Sequence, residues 1–308
     1  MNKDAMKTQT FGVEVEMNNI TREHAAQIAA GYFKTDRWAD TSLTNGYYAW
    51  SAWDDEGREW KFERDSSIAG PFDEQCEMVT PILYYKDIEM LQGLCRILRK
   101  AGAKSDPSRG CGIHIHVGAD GHTPKSLRNL VNIMASKEKL FAEALHISED
   151  RMSRYCLPVD SNFLRKLNKA KPKTMDELED IWYQSQFCDY RRHDHYNHSR
   201  YHMLNLHATF TKGTIEFRLF QFEEPDGDKQ NGIHAGRLKA FIQLALALSQ
   251  MAKDGKNFNP AEVETADKKY FMRYWLYRIG FLGEEFATAR EVLTKYLKDG
   301  SRANREVA

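Results

Sequence analysis

The feature that most constrains this chain is an alternation of apolar and acidic residues near its start. The stretch from Phe11 to Met17 is Phe-Gly-Val-Glu-Val-Glu-Met. Because successive side chains of a strand point to opposite faces, the apolar residues would share one face and Glu14 and Glu16 the other, about 6–7 Å apart. Neighbouring carboxylates repel each other. The pair is therefore predicted either to face solvent or to hold a proton or a hard divalent cation.

Charged residues recur on the polar faces of later predicted strands. The segments from Ile113 to Val117 and from Thr214 to Leu219 alternate in the same way, a short strand ends before Pro81, and another ends near residue 65. Their polar positions are Asp65, Glu77, His114, His116, Glu216 and Arg218. Collecting so many charges on one sheet face is costly unless they find partners, and divalent metals with an anionic substrate would supply them. Carboxylates with one or two histidines suit Mg²⁺ or Mn²⁺ better than structural zinc.

The arginines add a second kind of chemistry. Arg218, with Arg200 upstream, suits phosphate oxygens because a guanidinium offers a fork of donors. Carboxylates that hold metal and arginines that hold phosphate are the parts needed for phosphoryl transfer from a nucleotide. The sequence has neither a P-loop motif nor a Gly-x-Gly-x-x-Gly fingerprint, so neither of those nucleotide folds is supported.

Composition narrows the class of protein. Lys+Arg and Asp+Glu both number 44 in the 308 residues, so net charge favours neither nucleic acid nor an anionic membrane as partner. The five cysteines are scattered without a Cys-x-x-Cys pair, which favours a reducing compartment over a disulfide framework. No apolar run approaches the roughly 18 residues of a spanning helix, and a cytoplasmic location is expected.

Periodicity and capping signals predict an α+β fold with a mainly antiparallel sheet flanked by helices. Two strands, 201–210 and 214–222, are predicted to form a hairpin around a turn at 211–213. Helices are expected at about 21–32, 87–101, 123–146, 174–186 and 232–251, with two more beyond Pro260 and a charged end at 301–308. The predicted domains are a catalytic domain at 8–255 and a helical extension at 256–308 packed on it.

Five motifs, in this order, resemble the amidoligase family, a branch of the carboxylate–amine ligase superfamily that includes glutamine synthetase and glutamate–cysteine ligase. They are Phe11–Glu16, Asp65–Ser67, Glu77–Pro81, Cys111–Val117 and Thr214–Arg218. Each motif is weak alone, but their order makes the signal specific, and the resemblance covers about residues 11 to 250. It implies a glutamine synthetase-like catalytic fold, in which a curved antiparallel sheet forms a funnel for ATP and two or three Mg²⁺ ions, or Mn²⁺.

The resemblance also implies a role for each matched residue. His116 would lie beside the ATP phosphates, Arg218 would steady the transferred phosphoryl group, and Arg200 would be a further phosphate-binding arginine. Asp65 matches an acidic position whose role, as a ligand or as the base for the amine, stays open. The implied metal ligands are Glu14, Glu16, Glu77, His114 and Glu216. The implied reaction is ATP-dependent amide or isopeptide bond formation from a carboxylate and an amine or ammonia, through an acyl phosphate.

Other interpretations stay open. The same carboxylates could serve a metal-dependent phosphohydrolase or nuclease, or the chain could be a degenerate nucleotide-binding protein of the same fold. Histidines between residues 193 and 207 could form a second metal site or a substrate-facing segment, and the role of the Arg-, His- and Tyr-rich segment 189–202 is open. The substrates could be an amino acid, a peptide, a peptidoglycan fragment or a protein side chain. Relatives that share sites across subunits make a homo-oligomer a further expectation.

Overall fold

A computed structural model describes residues 1–224 and 232–300, and the charged segment predicted at 301–308 lies outside the described residues. The helices are α1 Lys3–Thr8, α2 Arg22–Phe33, α3 Ser42–Asn45, α4 Ile88–Lys100, α5 Pro124–Leu145, α6 Glu149–Arg154, α7 Ser161–Ala170, α8 Met175–Ser185, α9 His207–Lys212, α10 Ala235–Asp254, α11 Lys268–Ile279 and α12 Ala287–Val292. The strands are β1 Phe11–Met17, β2 Trp38–Asp40, β3 Trp50–Trp53, β4 Glu59–Glu63, β5 Cys76–Val79, β6 Ile113–Gly118, β7 Leu204–Asn205 and β8 Thr214–Phe220. The predicted mixture of helices with an antiparallel sheet is confirmed.

The chain divides into two compact units. The first unit comprises Met1–Gln9, Val117–Leu219 and the residues from Ala240 onward, and the second comprises Thr10–His116 and Phe220–Lys239. The elements β6, β8 and α10 each continue from one unit into the other. The catalytic domain at 8–255 and the extension at 256–308 remain predictions.

The sheet of the second unit has the strand order β2-β3-β4-β5-β1-β6. The pairs β2–β3, β3–β4, β4–β5 and β5–β1 are all antiparallel. In β1 the apolar residues Phe11, Val13, Val15 and Met17 are all buried, so this strand turns its apolar face to the core as the alternation predicts. The acidic residues of β1 therefore emerge together on the other face.

Two helices supply much of the core of the second unit. The helix α2 begins where the Thr21 hydroxyl accepts a hydrogen bond from the His24 N–H, the N-cap that the sequence predicts. Its alanines are fully buried, which lets it lie close to α4 and β3. The helix α4 buries Leu91, Leu94 and Leu98 on one face. Each buried leucine contributes roughly 2 kcal/mol of hydrophobic stabilisation to this unit.

In the first unit, α5 and α10 form the centre. The Asn129 side chain donates hydrogen bonds to the carbonyl oxygens of Ala252 and Gly255 at 3.2 and 2.9 Å, which ties α5 to the end of α10. Every residue of α10 from 240 to 250 is buried, as the apolar composition predicts. The segment at 148–172, which gave no clear sequence signal, contains α6 and α7, and α1 near the start of the chain was not predicted.

The predicted hairpin of two long strands at 201–222 is wrong in its first half. The strand β7 holds only two residues, and the helix α9 occupies positions that were expected to be extended. The Asn205 side chain accepts a hydrogen bond from the His207 N–H at 2.8 Å, and Gly213 closes the helix with φ near 68°. These local bonds outweigh the β-propensity of the Thr and Phe residues between them. The antiparallel pairing of β7 with β8 is as predicted.

In the portion of the chain covered by 1–224 and 232–300, none of the helices combines the length and the apolar character needed to cross a membrane.

Candidate active site

Three acidic residues of the second unit lie in a row across neighbouring strands. The β1–β5 register places Glu16 opposite Glu77, and the β5–β4 register places Glu63 opposite Glu77. Directly opposed residues of an antiparallel pair project from the same face with Cβ atoms about 4.5–5.5 Å apart. The sheet register therefore forces these three carboxylates into close proximity.

The strand β6 brings two histidines to the same acidic residues. His114 Nδ1 lies 2.8 Å from Glu14 Oε2, and His116 Nε2 lies 3.2 Å from Glu14 Oε1. On the other side of the His114 ring, Nε2 is 3.8 Å from Glu16 Oε1. The Gly112 backbone N–H donates to Glu16 Oε2, which fixes that carboxylate against β6. We call Glu14, Glu16, Glu77, His114 and His116 the carboxylate–histidine cluster.

Burial and neighbouring charges shift the pKa values of Glu14 and Glu77 in opposite directions. Burial raises the pKa of Glu77 well above its ordinary value, and repulsion from Glu14, Asp65, Glu16 and Glu63 raises it further. Burial also acts to raise the pKa of Glu14, but the charges and hydrogen bonds of His116 and His114 hold it well below its ordinary value. Glu77 is thus a carboxylate that would lose its proton readily only if a cation came close.

The donor set fits a divalent cation. Ligand atoms of Glu16, Glu77 and His114 all lie within 4.8 Å of one another, a span that one ion with bonds of roughly 2–2.5 Å can bridge. Since a carboxylate only accepts hydrogen bonds, His114 donates through Nδ1–H to Glu14, and in the neutral ring its Nε2 carries a lone pair. A cation between the His114 Nε2 and the Glu16 carboxylate would be bound by both groups. Oxygen donors with one imidazole are typical ligands of Mg²⁺ or Mn²⁺.

Asp65 is close enough to act on the cluster electrostatically but is held by its own turn. Its Oδ1 accepts a hydrogen bond from the Ser67 N–H at 2.7 Å, and its charge contributes to the raised pKa of Glu77. The geometry places Asp65 beside Glu77 and leaves its predicted alternatives, metal ligand or base for the amine, both open.

In the first unit, the two predicted site residues of β8 are bonded to each other. Arg218 donates through Nη1 to Glu216 Oε1 at 2.5 Å, and the Asn205 amide donates to Glu216 Oε2 at 2.6 Å. Both Glu216 and Arg218 are almost completely buried. Arg151, also buried, donates to the backbone carbonyl of Arg218 at 3.1 Å and so helps to hold β8 in place. The Glu216 carboxylate is therefore neutralised by a guanidinium that the same strand supplies.

Glu216 also lines a small cavity of about 190 Å³ within the first unit. We call this the cationic cavity, because the other charged or titratable residues that line it are His193, His195, Arg200, His207 and Lys212. It brings the predicted site residue Arg200 next to Glu216. The structure places Arg200 and Glu216 together in this cavity, and Glu14, Glu16, Glu77, His114 and His116 together in the cluster.

The histidines between 193 and 207 do not meet as a metal site among the described residues. His202 is bonded to the Pro158 carbonyl and to Gln186, while the His207 Nδ1 lies 2.6 Å from the Tyr183 hydroxyl. His193, His195 and His207 line the cationic cavity, which favours the substrate-facing interpretation for these three.

Sequence reasoning did not single out Glu63, Asn205 or Tyr183. For Glu63 a signal existed, because it shares the alternation of the segment from Glu59 to Asp65 and faces Glu77 in the register. Asn205 and Tyr183 act through hydrogen bonds between distant segments, and no local pattern marks them.

A comparison with protein families matches residues 7–249 to the family described as "Putative amidoligase enzyme". None of the curated proteins compared with the chain is similar to it.

Proposed function

The chain belongs to this amidoligase family, and we propose that it is an ATP-dependent ligase that joins a carboxylate to an amine or ammonia. The family match covers most of the chain, including the strands that carry every predicted ligand. It supports substrates of the carboxylate and amine kinds, and the ATP dependence, the Mg²⁺ requirement and the acyl phosphate are the proposed parts.

One observation carries the proposal. Glu16, Glu77 and His114 converge within 4.8 Å, and the pKa of Glu77 is raised by its burial and by the charges around it. A chain that used this sheet face only as a scaffold would gain stability by replacing one of these residues with an apolar one. A bound divalent cation would make these residues favourable, because it attracts the carboxylates that otherwise repel one another.

In the proposed enzyme Glu16, Glu77 and His114 would hold one Mg²⁺. Glu14 is also a proposed metal ligand, and it accepts the His114 Nδ1–H and so orients that ring. A bound Mg²⁺ would supply positive charge that offsets the negative charge developing during phosphoryl transfer. His116, whose Nε2 lies 3.2 Å from Glu14 Oε1, would lie beside the ATP phosphates, as the sequence resemblance implies. Glu216 is proposed as a further metal ligand, which the sequence resemblance also implies.

Arg218 and Arg200 would steady the anionic oxygens of the transferred group. Arg218 is rigid, since it is buried and bonded to Glu216, and a rigid guanidinium loses little conformational entropy when it binds an oxyanion. Arg200 is less buried and lines the cationic cavity, where a bound group could reach it. Both suit a transition state with charge spread over phosphoryl oxygens.

The proposed chemistry has two steps. A carboxylate oxygen of the substrate attacks the γ-phosphorus of ATP, and the bond to the β–γ bridging oxygen breaks, so that an acyl phosphate and ADP form. The amine nitrogen then attacks the acyl carbon, inorganic phosphate leaves with the bond's electron pair, and the nitrogen gives up a proton to a nearby base. Asp65 is the candidate base, since its carboxylate is near enough to the cluster to raise the pKa of Glu77.

The remaining expectations belong to the same proposal. They are the glutamine synthetase-like funnel, a cytoplasmic site of action and a homo-oligomeric state. Which amino acid, peptide, peptidoglycan fragment or protein side chain is joined depends on segments that the family pattern does not constrain.

The test is to incubate the full chain with ATP, Mg²⁺ and pools of carboxylates and amines, and to measure ADP and the product mass. We expect ADP only when both pools are present, together with a product lighter by one water than the two substrates combined. ADP release that is independent of both pools would instead indicate a phosphohydrolase. If ATP with Mg²⁺ does not bind at all in a calorimetric titration, the chain is a degenerate member of the family.

A further inference from the structure

Positively charged side chains line the cationic cavity. Among the described residues that line it, Glu216 is the one carboxylate, and it is already bonded to Arg218 and Asn205. An anionic group that entered the cavity would be attracted by the charge of Arg200.

Arg200 offers the first part of a binding site. Its Nη1 donates to the His195 carbonyl at 2.9 Å, and its guanidinium lies 5.7 and 5.8 Å from the ring centres of Tyr196 and Tyr201. These contacts hold the plane of the group in place. Its Nε and Nη2 make no hydrogen bond to any residue within 1–224 or 232–300, so one side of the donor fork is available to a ligand.

His207 offers the second part, and Tyr183 fixes its tautomer. Tyr183 is fully buried, and His207 Nδ1, at 2.6 Å, is its hydroxyl's one hydrogen-bond partner in the described part of the chain. The hydroxyl must donate, because a buried O–H without an acceptor would be costly. Nδ1 is therefore the acceptor, and the proton of the neutral ring lies on Nε2.

The Nε2–H group of His207 is a donor that the fold leaves for a ligand. The residue is only 5% exposed, it lines the cavity, and its Nε2 bonds to none of the described residues. Burial and the positive charge of Arg200 lower the pKa of His207 to about 4, so the ring is neutral near pH 7. It acts there as a hydrogen-bond donor whose direction is set by Tyr183.

The size of the cavity limits what can fill it. About 190 Å³ is smaller than the roughly 300–1,000 Å³ of sites that take drug-sized ligands, so one acidic group fits and a whole nucleotide does not. We propose that the cationic cavity binds a single oxyanion group, with Arg200 supplying charge and His207 Nε2–H supplying an oriented hydrogen bond. Tyr183 is the positioning residue that holds the His207 ring.

The shared chemistry is that of a carboxylate or a phosphate. A carboxylate would be an acidic group of the substrate, and a phosphate would come from the nucleotide. This inference deepens the proposed ligase function and rests on it for the identity of the ligand, but the binding of the anion can be measured without catalysis.

The first experiment titrates the full chain with glutarate and, separately, with inorganic phosphate, in the absence of ATP and divalent ions. His207→Asn keeps an acceptor for the Tyr183 hydroxyl near the Nδ1 position but has no donor near the Nε2 position, and we expect it to weaken binding at least about tenfold, as for a lost hydrogen bond to a charged group. His207→Gln carries an amide N–H to about the Nε2 position and should bind within about threefold of the parent. His198→Asn is the matched control, because His198 is exposed on the same segment and does not line the cavity.

The second experiment examines Tyr183→Phe, which keeps the ring and removes the hydroxyl. Long-range ¹H–¹⁵N spectra of the parent should show His207 as the Nε2–H tautomer, and the variant should show a mixture of tautomers with binding weakened about threefold or more. This measurement stays informative if a His207 variant fails to fold.

Weakened glutarate binding in His207→Asn supports the proposal and identifies the ligand as a substrate carboxylate. Weakened phosphate binding alone supports it and identifies the nucleotide as the source. Affinities that are equal in the parent, His207→Asn and Tyr183→Phe, or a parent that binds neither anion, would overturn it. Since no turnover is needed, His207-dependent binding without amide formation would contradict only the ligase function.

Discussion

The carboxylate–histidine cluster and the cationic cavity are built in opposite ways. The cluster comes from regular strands, where the β1–β5 register alone sets Glu16 opposite Glu77. The cavity is assembled from the segment around His193 to Arg200 and from the helix α9. In the cluster, strand register places carboxylates side by side, and their negative charge suits a cation. In the cavity, separate segments bring positively charged side chains together, and these suit an anion.

The two regions also differ in what holds their charges. In the cluster, the repulsion around Glu77 is opposed by sheet hydrogen bonds and by the helices packed behind the sheet. In the cavity, hydrogen-bond partners orient individual side chains, as Tyr183 does for His207 and Asn205 for Glu216. Substitutions in the cluster should therefore change metal binding and catalysis more than folding, and substitutions in the cavity should change the orientation of a bound group.

The largest effect on turnover is expected from removing charge at a ligand position. Glu14→Gln and Glu216→Gln should each lower ATP turnover about a thousandfold or more, since a correctly held metal contributes several kcal/mol to stabilising the transition state. The variants should remain folded, as judged by circular dichroism and thermal unfolding. Glu89→Gln, at an exposed carboxylate of α4, is the control and should match the parent. Parent-like turnover in either ligand variant would show that its metal assignment is wrong.

A smaller loss is expected for Arg218→Lys, because lysine keeps the charge but lacks the bidentate fork. We expect turnover to fall about 10–100-fold, with KM for ATP changing less than kcat if the fork acts in the transition state. Steady-state kinetics measure both constants. Arg96→Lys, on the exposed side of α4, should have no effect. Unchanged turnover in Arg218→Lys would remove the phosphoryl-steadying role.

The raised pKa of Glu77 predicts that a divalent ion displaces a proton when it binds. Below its raised pKa Glu77 holds the proton and competes with the metal, so Mn²⁺ affinity should rise with pH through that range. Calorimetric titrations in two buffers of different ionisation enthalpy should reveal up to about one proton released per ion. Glu77→Gln should bind more weakly and release none. A parent protein whose Mn²⁺ affinity is independent of pH would contradict this role.

The smallest effect on turnover should come from a buried carboxylate outside both regions. Burial raises the pKa of Glu138 in α5 to about 7, although the Val159 N–H bond opposes the shift. An unfolded glutamate titrates near about 4.3, so the folded state keeps a proton that the unfolded state loses, and stability falls by up to about 3 kcal/mol as pH rises from 4.3 to 7.

Glu138→Gln removes this titration and keeps an acceptor for Val159. Denaturant unfolding should show little change from the parent at pH 4.5 and a gain of up to about 3 kcal/mol at pH 8, with turnover unaltered. A variant that is destabilised equally at both pH values would mean that the carboxyl group does not titrate in this range. Added Mn²⁺ should not alter the stability difference between Glu138→Gln and the parent, whereas it should bind differently to Glu77→Gln and the parent.

The part of the site that lies on regular strands could be predicted from the sequence. A period of two in β1 and β6 put Glu14 and Glu16, and likewise His114 and His116, on a common face, and only the partner strands were unknown. The structure supplies the missing pairing and with it Glu63, which the same alternation could have indicated.

The cavity could not be predicted, because its geometry depends on competing local bonds. The residues from His207 to Lys212 were expected to form a strand, but they form a helix, which begins after the Asn205 side chain accepts the His207 N–H and ends at Gly213. That helix turns His207 towards Tyr183, a residue 24 positions earlier in the chain. Neither hydrophobic period nor residue spacing carries information about such a contact.

The most direct test of the central claim counts the divalent ions held by the carboxylate–histidine cluster. Electron paramagnetic resonance of the full chain with Mn²⁺ should show at least one tightly bound ion in the parent protein. In the Glu16→Gln/Glu77→Gln double variant that ion should be lost while the protein stays folded. Equal tight binding of Mn²⁺ by the parent and the double variant would contradict the claim that this row of carboxylates is a metal site.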